Sequence, residues 1–291
     1  MTLGPVDPAL DAKVDRVTRE LRRRGGDWLV RARRDEGATH AVGRDEVMTT
    51  QAAWIEVVAY DDGPRGRGVG AARASLEDVR PAALVAEAVT RARLAPGAPW
   101  QSPPAAGPAR VELAAAGVLA GTVEERAAAL AAALTDDGIA GEVAVVRSQT
   151  TLATSSGQRL GWRATMVDLA CGPDGERWTA RRRGFTVDEA RAWSRAQRDL
   201  AAALAGATPL APGAYEVVLA AEAMARDGDL GLWRLLAAQA DGASARAGLV
   251  MYSVGSEVYA GAAAVAAPLD VVSDGARPLG LTSAPVGDSG T

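Results

Sequence analysis

A chain with one cysteine, Cys171, and one histidine, His40, cannot be held together by intrachain disulfides or by a zinc cluster of its own. Its stability has to come from an apolar core, and 291 residues suffice for one large domain or two ordinary ones. Hydrophobic residues make up 48% of the sequence, yet Phe185 is its only phenylalanine. The core is therefore expected to be assembled from Ala, Val, Leu and the seven tryptophans. The same counts constrain chemistry, because one imidazole and one thiol do not make a metal centre or a histidine-assisted nucleophile within a single chain.

Charge narrows the field further. The formal net charge is -4 and the pI about 5.3. Lys13 is the sole lysine, and arginine abundance beside alanine abundance reads as codon bias before it reads as binding. The runs Arg22-Arg23-Arg24 and Arg181-Arg182-Arg183 are short and flanked by acids, so solvated edges of a helix and a strand are expected there. Nucleic acid is not expected as a partner. Asp7, Asp11 and Asp15 interrupt the N-terminus before any apolar signal region could form. The most apolar stretch, residues 113–123, is too short to span a bilayer. A soluble, cytoplasmic chain with no membrane partner is expected.

Periodicity places the elements. Leu10, Val14, Val17 and Leu21 predict a helix over residues 8–24, with Asp7 as N-cap and Gly25-Gly26 as the stop. Residues 27–34 alternate as a strand, and residues 41–50 are a weaker strand candidate. Residues 51–60 are rich in β-formers and end at Asp61-Asp62-Gly63-Pro64, which turns the chain into an antiparallel return over 65–74. Ser75 with Asp78 predicts the start of the next helix, despite Pro81. Residues 96–108 form the clearest linker-like segment. A short strand is expected over 110–115, a helix from Thr122 capped with Glu125, then strands over 141–154, 158–171 and 176–185. A helix over 187–204 follows, and Pro212-Gly213 opens a strand over 214–220. Hairpins mixed with helices give an α+β class, with no regular βαβ winding.

Most familiar motifs fail on context. Gly66-x-Gly68-x-x-Ala71 imitates a dinucleotide fingerprint, but no helix starts within it, and a hairpin return strand explains the glycines. Ser155-Ser156-Gly157 could hold a nucleophile only if a base were assigned to it. His40 is expected to be exposed or locally bonded, and Cys171 to be a buried, inert thiol. Asp61-Asp62 and Asp136-Asp137 read as turn or helix-end pairs.

What remains is an order of segments: the hairpin YDDGPRGRGVGAARASLEDVR, then SSGQRLGWRATMV, then PGAYEVVLAAEAMA, then SAPVGDSGT. In this order and spacing the chain resembles the TldD/PmbA family from about Asp11 to Thr291. Members pair a zinc metallopeptidase subunit with a related non-catalytic subunit of the PmbA, or TldE, type. The resemblance implies an N-terminal α+β domain over residues 1–208, antiparallel hairpins packed with long helices. It also implies the start of a β-rich C-terminal domain over 209–291, shortened relative to the family.

The catalytic subunits of that family carry HExxxH shortly after the VVL strand, two imidazoles for zinc and a glutamate that activates water. Here the matching residues run from Ala221 and Glu222 to Arg226, so the glutamate has a counterpart and both histidines are missing. Aspartate-rich family segments are reduced to Val272-Ser273-Asp274-Gly275 and Gly287-Asp288-Ser289-Gly290. The resemblance thus implies a non-catalytic subunit without cofactor, associated with a TldD-type peptidase that holds the zinc and acts on short or unfolded peptides. Peptide is expected to add to β-edges near 214–220 and 249–254. An active peptidase completed by a partner and a stand-alone peptide-binding scaffold stay open as alternatives.

Overall fold

Asp7 accepts a hydrogen bond from the backbone N–H of Ala9 and so starts α1, Pro8–Arg24, whose Leu10, Val14, Val17 and Leu21 are all buried. The computed structural model describes residues 7–44, 46–64, 66–94, 111–135, 140–172, 178–216 and 277–279. After α1 come β1 (Trp28–Val42), β2 (Val47–Gly63), β3 (Gly66–Ser75) and α2 (Pro81–Leu94). Then follow α3 (Ala116–Leu119), α4 (Val123–Thr135), β4 (Gly141–Thr154), β5 (Arg159–Cys171), β6 (Trp178–Arg182) and α5 (Val187–Ala205). The strands make one antiparallel sheet in the order β3-β2-β1-β4-β5-β6. This is the α+β class expected.

By internal contact the chain divides into Met1–Ala207 with Ser273–Thr291, and Thr208–Val272. The elements above belong to the first unit. Of the second, residues 208–216 are described and include no helix or strand; the Tyr215 hydroxyl donates to the Ala211 carbonyl at 2.5 Å.

Strand alternation sends one set of side chains to a helix-covered face, and helices gather there in two groups. The first packs α1 and α2 on Val30 and Ala32 of β1, Ile55 and Val57 of β2 and Ala72 of β3. The second packs α3, α4 and α5 on Ala38 and Val42 of β1, Val143 and Val145 of β4 and Val167 and Leu169 of β5. Small core residues let these layers close up. At Gly70, an added Cβ would lie 2.1 Å from the Ala88 carbonyl oxygen of α2.

Several expectations are corrected. The strand read as ending at Arg34 runs on to Val42, because its polar middle is hydrogen-bonded on both sides, to β2 and to β4. Residues 41–50 are consequently a strand end, a turn and a strand start. The helix expected at Ser75 begins at Pro81: the Ser75 hydroxyl accepts only the Glu77 N–H in a bend, and proline suits a first helical turn. Residues 111–115 are no strand; they lie alongside β5, where the Leu113 carbonyl accepts the Thr165 N–H at 3.0 Å. Arg183, read as solvated, is buried and donates to the Thr165 carbonyl at 3.3 Å. Burial and the neighbouring Arg33 charge lower its pKa.

Candidate functional site

Several residues singled out in the sequence have ordinary structural roles. Gly66 and Gly68 sit on the return strand β3, as expected, so no helix N-terminus meets them. Ser155 and Ser156 turn β4 into β5: the Ser155 hydroxyl donates to Asp27 at 3.3 Å, and the Thr154 and Ser156 hydroxyls are 2.8 Å apart. No imidazole stands near either serine, since His40 lies on β1 with Nδ1 3.0 Å from the Ala41 carbonyl. Cys171 is buried, and burial pushes its thiol up to about 11, so it is not a nucleophile at neutral pH. Asp61 and Asp62 close the β2–β3 hairpin and pair with Arg93 and Arg67. Ala221, Glu222 and Arg226 lie outside the described residues, as do Asp136-Asp137 and the segments 249–254, 272–275 and 287–290. Of the strand expected over 214–220, residues 214–216 are described and are not strand.

The strongest geometric feature was not read in the sequence. Between the two helix groups, the helix-covered face of the sheet is left to polar side chains: Arg34 and Glu36 of β1, Arg147 and Gln149 of β4 and Arg163 of β5. This strip opens into a cavity of about 650 Å3, bordered by Lys13 of α1, Arg34, Glu36, Gln51 of β2, Leu76 and Glu77. A smaller cavity of about 180 Å3 continues it toward Arg147 and Arg163 and shares Arg34 and Glu36. Gln149 Oε1 is buried there with no hydrogen-bond partner among the described residues.

The cavity lies where β3 stops. β2 pairs with β1 from Val47 to Ala59, but with β3 only from Trp54 to Gly63. One further bond, from the Leu76 N–H to the Ala53 carbonyl at 3.0 Å, ends that ladder before the chain turns away. Residues 47–52 therefore form an exposed half-strand with one side free among the described residues. The uncharged run VMTTQA is its local signal, and the missing neighbour is not legible there.

Some charges around the cavity are committed and others are not. Arg34 donates to Asp7 at the start of α1, and Arg33 pairs with Asp35 at 2.7 Å on the opposite face of β1. Arg147 donates to the Val118 and Gly121 carbonyls, each at 2.8 Å, tying α3 to the sheet. Lys13, Glu36 and Glu77 make no ion pair among the described residues. The site thus offers unpaired backbone groups, a lined cavity and two uncommitted carboxylates to one ammonium. That arrangement suits binding of an extended polar chain. Among the described residues, no group of three or more His, Cys, Asp or Glu side chains could hold a metal ion.

No protein-family model matches the chain, and no curated protein does. Solved structures do. TldE from Thermococcus kodakarensis matches with a TM-score of 0.48 at 13% identity, over 67% of this chain and 47% of that one. A protein described as a candidate modulator of a DNA gyrase, from Thermotoga maritima, matches with a TM-score of 0.49 at 12% identity, over 70% and 50%. Another so described, from Bacteroides thetaiotaomicron, gives 0.40 at 10%, over 60% and 43%. The chain spans about half the length of the structures it matches. Its solved structural neighbours include members of the TldD/PmbA family.

Proposed function

We propose that this chain is a non-catalytic, TldD/PmbA-like subunit that associates with a TldD-type zinc peptidase acting on short or unfolded peptides. The observation that carries the reading is in the sequence. Where the family's catalytic subunits have two zinc-binding imidazoles, this chain has Ala221 and Arg226. Alanine has no donor atom, and a guanidinium repels a divalent cation. Glu222 alone does not fit a zinc site, so no catalytic step runs through this chain. Its contribution is association, and presentation of peptide to a partner that supplies the metal and the activated water.

Co-purification tests the reading. The full chain, expressed with an HExxxH-bearing relative from the same source, is expected to elute with it as one complex. The chain alone is expected to carry no zinc. Failure to associate overturns the proposal. So does stoichiometric zinc in the isolated chain that is lost on Glu222→Ala.

A further inference from the structure

We infer that the open half of β2, residues 47–52, binds an extended basic peptide segment as an added antiparallel strand, with side chains reaching into the cavity beside it. This rests on the reading above that the chain handles peptides, and it names where and how. Three observations carry it.

The first is backbone chemistry. In the β1–β2 ladder the Tyr60 N–H bonds to the Asp27 carbonyl, so even-numbered residues of β2 point their N–H and C=O groups at β1. Odd-numbered ones point the other way, as the bond from Leu76 to Ala53 confirms. Val47, Thr49 and Gln51 therefore offer donors and acceptors to an incoming strand in line with β3. Six residues of strand span about 20 Å, so a hexapeptide fills the slot.

The second is contrast with the other edges of the same sheet. The edge at β3 is packed by α2 and carries Arg67 and Arg73, and β6 is five residues long with Arg181 and Arg182. Charge, brevity and covering elements are the usual means of blunting an edge. Residues 47–52 carry no charge, proline or glycine. An unblunted edge is a template for strand addition.

The third is the cavity. A peptide residue opposite Gln51 shares its face of the sheet, which is the face of Glu36, the β1 partner of Gln51. Glu36 and Glu77 outnumber Lys13 there, and Arg34 is already paired with Asp7. Arginine or lysine on the peptide complements that balance. A second copy of this chain would present its own neutral half-strand and leave both carboxylates unmatched, so peptide is the better occupant.

The probe is an acetylated, amidated hexapeptide of alternating arginine and threonine, offered to the full chain. Binding is expected to protect the amides of Val47, Thr49 and Gln51 from hydrogen exchange. N-methylation of one alternate set of peptide residues should abolish binding, and methylation of the other set should not. Thr49→Pro, which removes one free donor, is expected to weaken binding about tenfold. Combining Glu36→Lys with Glu77→Lys should shift preference to a glutamate-for-arginine peptide. Equal sensitivity to both methylation patterns, or no protection of those amides, overturns the inference. So does protection that appears without peptide and grows with protein concentration, which would make a second copy the occupant. The Thr49→Pro chain is also tested for association with the HExxxH-bearing partner. Lack of peptide binding by the unmodified chain with association intact sinks this inference alone; lost association of that chain sinks the parent reading.

Discussion

At Gly70 the backbone of β3 comes so close to α2 that a methyl group would sit 2.1 Å from the Ala88 carbonyl oxygen and 2.2 Å from the Ala92 nitrogen. Neither contact can swing aside, because both are helix backbone. Gly70→Ala is therefore expected to force the helix off the sheet and cost about 3 kcal/mol, measured by urea unfolding. Gly43 provides the contrast: it has nothing within 4 Å and a φ of 77°, so Gly43→Ala should cost only the left-handed backbone penalty, about 1 kcal/mol. If both variants lose the same stability, close packing at Gly70 is not what its size serves. A titrating residue adds a second test. The Thr186 backbone N–H donates to the Glu189 carboxylate at 2.7 Å, and that bond first, then the Thr186 hydroxyl beside it, holds the carboxyl below its ordinary 4.5. A lowered carboxylate pKa stabilises the fold above the unfolded value, and that stabilisation disappears as pH falls through the folded one. Glu189→Ala should thus be less stable than the parent at pH 7, with the gap closing as pH falls from the ordinary carboxyl value through the lowered one. Thermal melts across that range check it.

On the scale of elements, the register of β2 makes adjacent residues unequal. The Thr50 N–H points into the ladder with Gly37, whereas that of Thr49 points to the open side. Thr50→Pro is expected to cost about 3 kcal/mol or more and Thr49→Pro far less, read by denaturation of the two variants. Equal losses would mean that the register or the open edge is misassigned. The elements best anticipated from sequence are those with local causes. Asp61-Asp62-Gly63-Pro64 turns the chain wherever it stands, and the Thr122/Glu125 box forms with bonds of 2.8 and 3.1 Å. Elements whose causes are distant were misread. The polar middle of β1 is strand because β2 and β4 flank it, and no local pattern reports two neighbours. Residues 111–115 have strand-like composition but meet β5 through only isolated bonds. The open edge was equally hidden. It exists because β3 is shorter than β2 and the chain departs at Leu76, a difference in length that becomes visible only once the pairing is known.

Across the whole molecule, one sheet carries two apolar clusters on the same face, separated by the polar strip of Arg34, Glu36, Arg147 and Gln149. Two separated cores could unfold independently. What argues against it is β1: Val30 and Ala32 belong to the first cluster, Ala38 and Val42 to the second, and the strand between them is paired without interruption. Losing one cluster frees half of β1 and, through it, the ladders of β2 and β4. No helix among the described residues is long and apolar enough to cross a membrane. Leu130 of α4 is fully buried in the second cluster, and Leu130→Ala should cost about 2–5 kcal/mol by leaving a cavity. If the unit is cooperative, slowly exchanging amides of β2 and α2, which touch the first of these two clusters and not the second, should lose as much protection as those of α4. Loss confined to α4, α5, β4 and β5 would show that the sheet joins two separately melting halves. In that case the polar strip would be a hinge line, and the cavity at its end would change shape with it.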